Sequence, residues 1–217
     1  MFMQDSPRLI SLGEPGYGDL ASAVALAALD MGVPSIIVTS SPGEPFESFD
    51  HGAIDWKKLM GTAHWMVNSS SMVSLGKSPA MAWSASMTFA ELEGCRNVMV
   101  VDMPDEPEMI SKTWGSIIAK MRQIHVLFFT QEASNSVSAL EGIGGQNFLS
   151  EVRAKTMVPI VCGVSPDGSA VSVSHSMGDF EIDITSHQNG ISWLSGFLKS
   201  LPSSGTGISG IKVAASW

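Results

Sequence analysis

Charged residues are scarce in this chain, and basic residues never form a run. Only 15% of the 217 residues are charged, and 12 basic residues stand against 21 acidic ones, for a net charge of −9. Proteins that bind nucleic acid directly usually carry a basic patch, so we do not expect nucleic acid as a partner. The low charge and the 44% of hydrophobic residues favour either a surface covered by other protein subunits or a large buried sheet.

Long apolar runs and paired cysteines are also missing. No apolar run approaches the roughly 20 residues of a membrane-spanning helix, so we expect no transmembrane segment. Cys95 and Cys162 lie in or near apolar segments, with neither C-x-x-C nor Cys/His spacing. This arrangement predicts free buried thiols, no zinc site and a reducing compartment, such as the cytoplasm or an organelle matrix or stroma.

Short apolar runs alternate with helical patterns along most of the chain. The predicted strands are residues 8–12, 34–39, 64–68, 97–102, 125–129 and 158–162. Helical patterns separate them, including one that ends at Met121, and a turn at 166–168 predicts a hairpin to a strand at 170–174. Strands that are apolar on both faces and alternate with helices predict an α/β fold. We therefore expect a doubly wound, mostly parallel sheet with helices on both faces and one antiparallel element late in the chain.

Polar residues follow several of these strands and mark one edge of the predicted sheet. Ligands of such sheets bind outside the carboxyl ends of the strands. Asp102, the turn after Phe129 and the turn at 183–191 are all expected there. Asp102 is a candidate ligand-binding residue, or it caps the turn that follows it.

The segment 181–201 begins as a strand, passes through a polar turn and ends in an apolar helix. The N-terminus of such a helix offers free backbone N–H groups, so the turn predicts a residual ligand or anion site. The candidate residues are Thr185, Ser186, Asn189 and Gly190. The alternative is an ordinary polar turn with Asn189 or Ser192 as the helix cap. His187 is either a substitute base or an exposed loop residue.

The order of elements resembles the ribokinase-type (PfkB) sugar kinases, and most strongly the 2-keto-3-deoxygluconate kinases. Residues 18–32 resemble the family's Gly-Gly-x-x-x-Asn-x-Ala-x-x-Leu-Ala-x-Leu-Gly segment, and residues 126–132 resemble its V-L-x-x-N-x-x-E segment. Residues 184–198 fall where the family has G-A-G-D and an apolar helix. The resemblance implies one ribokinase-like α/β domain over residues 1–217.

The functional positions of the family have changed in this chain. The sugar-binding Asn falls on Ala23, and the Asn and Glu of N-x-x-E fall on Thr130 and Ala133. The catalytic Asp falls on Ile191, or on Asn189 under a shifted alignment. No Asp or Glu occurs between residues 184 and 200.

Two larger parts of the family pattern are missing as well. After Leu12 and after Phe49 the chain runs almost at once into the next helix, which leaves no room for the β-lid strands that the family inserts there. The resemblance also implies a truncated C-terminus. Without a lid the site remains exposed to solvent, which weakens its remaining electrostatic contacts.

Together these changes predict a catalytically inactive sugar-kinase-like protein with no catalytic residue, no metal site and no cofactor. A positioned base alone is typically worth about 10²–10⁴-fold in rate. We expect the chain to act as a structural or regulatory subunit of a larger protein assembly, with Trp217 as an interface anchor. One alternative is a diverged sugar or sugar-acid kinase that uses ATP and Mg²⁺. Another is a protein that binds nucleotide or sugar without chemistry.

Overall fold

One mixed sheet of eight strands runs through the computed structural model, which describes residues 8–16, 18–185 and 188–217. The strands are β1 (Leu9–Leu12), β2 (Ser35–Val38), β3 (Trp65–Ser69), β4 (Arg96–Val101), β5 (Ile124–Phe129), β6 (Ile160–Val164), β7 (Ala170–His175) and β8 (Gly178–Asp183). Their order is β2-β1-β3-β4-β5-β6-β7-β8. The first six are parallel, and β7 and β8 add antiparallel neighbours at one edge. The predicted fold class and the late hairpin are confirmed.

Helices cover both faces of the sheet. They are α1 (Leu20–Asp30), α2 (Trp56–Met60), α3 (Lys77–Leu92), α4 (Ile110–Ile118), α5 (Gln131–Glu141), α6 (Phe148–Thr156), α7 (Gly190–Ser204) and α8 (Ile208–Ala215). On one face of the sheet, the core cluster contains residues of α2, α3, α4, α5 and α6. On the other face, the core cluster contains residues of α1, α7 and α8. Successive residues of a strand point to opposite faces, so Met99 and Val101 pack in the first cluster and Val98 and Val100 in the second.

Polar side chains cap the N-termini of several of these helices, where they accept hydrogen bonds from free backbone N–H groups. Asp19 caps α1, Asp55 caps α2 and Thr130 caps α5. One helix differs from the sequence prediction: α4 ends at Ile118, and Met121–Gln123 forms a separate 3₁₀ turn. The apolar periodicity continued past the true end because Met121 is itself buried.

Every strand of the described residues belongs to this one sheet. The described residues between β1 and α1, which are 13–16, 18 and 19, form no strand, and residues 39–55 between β2 and α2 contain only short 3₁₀ turns. No β lid is therefore formed by the described residues at either place. No helix in the described ranges is long and apolar enough to cross a membrane.

Both cysteines are free and buried, as the sequence predicts. Burial raises the pKa of Cys95 to about 12 and also raises the pKa of Cys162. Because the thiolate is the reactive form of cysteine, both thiols are packing residues.

Trp217 packs against α7 of its own chain. Its indole N–H donates to the carbonyl of Trp193 at 3.0 Å. A Cβ on Gly196 would lie 1.9 Å from the Trp217 ring, so the ring lies directly on this glycine of α7. The side chain nevertheless stays 39% exposed. Its role as an interface anchor stays a prediction.

Candidate functional site at the carboxyl edge of the sheet

A cleft of about 390 Å³ lies at the carboxyl ends of β4 and β5. It is lined by Gly18, Leu20, Asp102, Met103, Thr130, Gln131 and Glu132. Asp102 directly follows β4, and Thr130 directly follows β5. The prediction that Asp102 and the turn after Phe129 lie at the carboxyl edge of the sheet is confirmed.

Asp102 is held by the turn that follows the neighbouring strand β3. Its Oδ1 accepts hydrogen bonds from Ser70 Oγ at 2.7 Å and from the Ser71 backbone N–H at 2.9 Å. Its Oδ2 accepts from Ser71 Oγ at 2.7 Å. The prediction that Asp102 caps its own following turn is therefore wrong. Since β3 and β4 are parallel and in register, the end of β4 lies beside residues 70–71.

Two serine hydroxyls lie between the Asp102 carboxyl and a second acid. Ser71 Oγ lies 3.4 Å from Ser69 Oγ, which in turn donates to Asp19 Oδ1 at 2.8 Å. Burial raises the pKa of Asp102, the hydrogen bonds from Ser71 and Ser70 act in the opposite direction, and the negative charge of Asp19 adds to the rise. The proton of Asp102 is thus held more tightly in the folded chain than in the unfolded one.

Replacement of Asp102 by Asn should change how stability depends on pH. Between the ordinary aspartate pKa of 3.8 and the raised folded value, the folded wild type binds more protons than the unfolded chain. Its free energy of unfolding therefore falls as pH rises through this window, and the substitution removes this contribution. The stability advantage of the wild type over Asp102→Asn should thus be largest at low pH. Urea unfolding of both proteins at a series of pH values measures it, and a pH-independent difference would contradict the account.

The start of α7 is closed by its own capping box. Asn189 Oδ1 accepts from the Ser192 backbone N–H at 2.8 Å, and Ser192 Oγ accepts from the Asn189 N–H at 2.9 Å. The prediction of Asn189 or Ser192 as the cap is confirmed. Thr185 is exposed, and its N–H donates to Gln188 Oε1 at 3.2 Å. Ser186 and His187 lie outside the described residues, so an anion site in this turn stays a prediction.

Gly190 lies against the sheet. A Cβ there would come within 2.6 Å of Val164 Cγ2 and 3.2 Å of Phe128 Cζ. The next residue, Ile191, is partly buried and packs against the core cluster of the same face. Close packing of α7 on the sheet is therefore sufficient to explain glycine at this position.

Replacement of Gly190 by Ala should destabilise the fold by about 1–3 kcal/mol, the usual cost of overpacking a tight contact. The β-branched Val164 cannot rotate freely away from an added methyl group. Gly115 provides the matched control, because it lies within α4 and a Cβ there would have no neighbour within 4 Å. Gly115→Ala should stabilise by roughly 0.5–1 kcal/mol through helix propensity. Equal effects of the two changes in thermal unfolding would argue against the packing role.

The predicted site residues are divided between two places. Asp102 lines the cleft with Thr130, whereas Thr185, Asn189 and Gly190 are not among its lining residues. Sequence reasoning missed Glu132. The resemblance aligns the acid of N-x-x-E with Ala133, which is one position after Glu132. Glu132 is exposed in the first turn of α5. A search that allowed a shift of one residue at this helix start would have found it.

Within residues 8–16, 18–185 and 188–217, no three acid, imidazole or thiol side chains cluster closely enough to hold a metal ion. Asp102 has both oxygens occupied by hydrogen bonds, and Glu132 is the exposed carboxylate of the cleft.

Solved carbohydrate kinases superpose on nearly the whole chain. Fructokinase with bound ATP from Xylella fastidiosa matches with a TM-score of 0.76 at 9% identity, over 97% of this chain and 89% of that one. The 2-dehydro-3-deoxygluconokinase of Thermotoga maritima matches with a TM-score of 0.73 at 15% identity, over 96% and 91%. A fructokinase double mutant from Vibrio cholerae O395, with fructose, ADP and potassium bound, matches with a TM-score of 0.69 at 11% identity, over 97% and 89%.

Sequence comparison adds nothing to this likeness, since neither a scan of protein-family models nor a search of the curated proteins gave a match. The structural likeness is nonetheless continuous along the chain. The chain therefore has the fold of the ribokinase-type (PfkB) carbohydrate kinases. At these identities the comparison shows the fold alone, and function must be argued from the site.

Proposed function

We propose that the chain is a diverged ATP-dependent sugar or sugar-acid kinase that transfers the γ-phosphate to a sugar hydroxyl at a low rate. The observation that carries the proposal is the cleft at the carboxyl edge, in which Asp102 and Glu132 lie together. The superposed proteins include a fructokinase with bound ATP and one with fructose and ADP. This likeness supports a kinase better than a protein without activity.

The cleft residues fit a nucleotide that brings its own magnesium. Mg²⁺ keeps several waters and is usually held by one or two carboxylates together with the phosphates. Glu132 is exposed and would supply one such carboxylate, whereas Asp102 is buried and already accepts three hydrogen bonds. When bound, the metal would neutralise charge on the transferred phosphoryl group.

The expected rate is low because a positioned base is missing from the sequence of α7. The family's base position falls on Ile191 or Asn189, and neither side chain can accept a proton from a sugar hydroxyl. Such a base is typically worth about 10²–10⁴-fold. Phosphoryl transfer depends mainly on positioning and on charge stabilisation, so a slow reaction is compatible with its loss.

The second candidate is a catalytically inactive subunit of a larger protein assembly. The start of α7 favours it, because the capping box uses the Ser192 N–H and Gly190 packs against Val164. A helix start arranged in this way is suited to packing. Purification from the native source tests this candidate: co-purifying subunits at constant ratio would support it, and a free monomer would count against it.

An ADP-release assay tests the kinase proposal. The purified chain is given ATP and Mg²⁺ with a panel of hexoses and sugar acids, and Glu132→Gln should lower turnover at least about tenfold, since contacts to charged groups are worth about 1.5–3 kcal/mol. Glu151→Gln is the matched control, because Glu151 is also an acid in the first turn of a helix but lies outside the cleft. Thermal unfolding with ATP is the companion measurement, since ligand at 100 times its Kd adds about 2.7 kcal/mol of stability. No turnover and no stabilisation would reject the kinase.

A further inference from the structure

The two edges of the sheet differ in how they are protected from pairing with another chain. Edge strands of natural proteins usually carry charged residues that oppose such pairing. β8 follows this rule, because it carries Asp179, Glu181 and Asp183. β2 carries no charge, and within residues 20–43 the one charged residue is Asp30. No strand of the described residues pairs with the outer side of β2, so this edge is open.

The backbone groups of β2 alternate between its neighbour β1 and the open edge. The carbonyls of Pro34 and Val38 accept hydrogen bonds from the β1 side, each at 3.0 Å. Since the direction of the backbone groups alternates along a strand, the N–H and C=O groups of Ser35, Ile37 and Thr39 point toward the open edge. The edge therefore offers three residues that can each exchange two hydrogen bonds with another strand.

An antiparallel pair of two β2 strands centred on Ile37 would use all of these groups. A two-fold axis at Ile37 puts Ser35 opposite Thr39 of the second copy, and Ile36 opposite Val38. Each outward-facing residue then exchanges both hydrogen bonds with its counterpart. The side-chain pairs are also matched, because β-branched pairs and Ser–Thr pairs stabilise antiparallel strands. The edge of β2 is thus complementary to itself, as a two-fold interface requires.

Helix α1 adds an apolar flank beside the same edge. Ser195 Oγ of α7 donates to Val24 O of α1 at 2.9 Å, which shows the side on which α7 lies. Leu26 and Leu29 are about 140–160° around α1 from Val24, and they are 45% and 44% exposed. Trp65 of β3 donates to a carbonyl of α7, whereas α1 packs on β1 and β2. The two leucines therefore face away from α7, toward the open edge.

Strand pairing and helix packing are compatible in one arrangement. A two-fold axis perpendicular to the sheet brings the α1 helices of both copies together on the same face. Strands in a sheet are about 4.8 Å apart, and α1 packs on both β1 and β2. The axes of the two helices would therefore lie roughly 10 Å apart, close to the usual 8–10 Å between packed helices.

We propose that the chain forms a symmetric dimer through β2 and α1, in which the two sheets join into one continuous sheet at Ile37. A second copy is favoured as the occupant of this edge because the register centred on Ile37 is self-complementary. In addition, β2 carries no charge that would lose its water on pairing. In the dimer, Leu26 and Leu29 of each copy pack against the α1 helix of the other.

Sedimentation equilibrium of the full chain over a wide concentration range tests the dimer. A reversible equilibrium between monomer and dimer is expected. Leu29→Lys should weaken the dimer at least about tenfold, because it places an unpaired charge in the interface. Leu140→Lys is the matched control, since Leu140 is a similarly exposed leucine of α5, on the other face of the sheet. A monomer at every concentration would leave the edge to another segment or partner and would overturn the proposal, as would an equal effect of the two variants.

Cysteine cross-linking tests the register and covers the case in which Leu29→Lys disturbs α1. Ile37→Cys places two thiols at the axis with Cα atoms about 5.5 Å apart, which is within the range of a disulfide. A covalent dimer is expected under mild oxidation, because the native Cys95 and Cys162 are buried. Ser35→Cys is the matched control, since its two thiols would be more than about 13 Å apart. Cross-linking of both variants alike, or of neither, would contradict the proposed pairing.

Discussion

Replacement of Ile191 by aspartate should raise the rate of ATP-dependent sugar phosphorylation by about 10²–10⁴-fold, the usual contribution of a positioned base. Ile191 is the second residue of α7, which begins at Gly190. An acid in the first turn of a helix interacts favourably with the positive end of the helix dipole. The expectation rests on the proposed function, in which the resemblance to the sugar kinases puts the catalytic Asp at this position.

The side chain of Ile191 is partly buried, so the variant also has a cost. Loss of its contacts with the core cluster should destabilise the chain by about 1–3 kcal/mol. Ile191→Asn is the matched control, because it has nearly the same shape as the aspartate variant but cannot accept a proton. ADP release with the best sugar of the panel compares the two. Equal rates for the Asp and Asn variants would show that no base is needed there.

The same assay distinguishes the two alignments of the family motif. Under the shifted alignment the base position is Asn189, the cap of α7. Asn189→Asp keeps a side-chain oxygen that can cap the helix, so its fold should be preserved. A rate increase in Asn189→Asp but not in Ile191→Asp would select the shifted alignment.

Truncation of Trp193 to Ala should have the largest effect on stability, about 3–5 kcal/mol. Trp193 is only 1% exposed. Its ring stacks on Phe197 with centroids 5.0 Å apart, and on Phe128 at 6.2 Å. Its indole N–H donates to Ala215 O at 2.9 Å, which joins α7 to α8.

Since a whole domain is typically stable by about 5–15 kcal/mol, this one change removes a large share of the total. Urea unfolding followed by fluorescence measures it. Trp217→Ala is the control, because Trp217 is 39% exposed; its cost should be clearly smaller. A cost of Trp193→Ala below that of Trp217→Ala would contradict the role of Trp193 as the centre of this face.

The fold was predictable because its signals are local. The segment Val98–Val101 is apolar on both faces and is fully buried in the structure, which a continuous apolar run predicts. Asn189 was recognisable as a cap from its place before an apolar helix. The hairpin through residues 166–168 was recognisable from its turn residues.

The parts that were missed depend on contacts between distant segments. Asp102 accepts hydrogen bonds from Ser70 and Ser71 because β3 and β4 are neighbours in the sheet. The residues near Asp102 in the sequence do not predict these partners. Glu132 lines the cleft because of the orientation of α5 about its axis. A motif with fixed spacing does not predict that orientation. Trp217 reaches Gly196 only because α8 turns back on α7.

The most direct measurement of the central claim is ³¹P NMR of the purified chain with ATP, Mg²⁺ and the sugar panel. A slow kinase predicts a new sugar-phosphate resonance that grows with that of ADP and weakens in Glu132→Gln. Formation of ADP with inorganic phosphate alone would mean hydrolysis without transfer. An unchanged ATP spectrum with every sugar would contradict the kinase proposal and leave the non-catalytic subunit as the function to test.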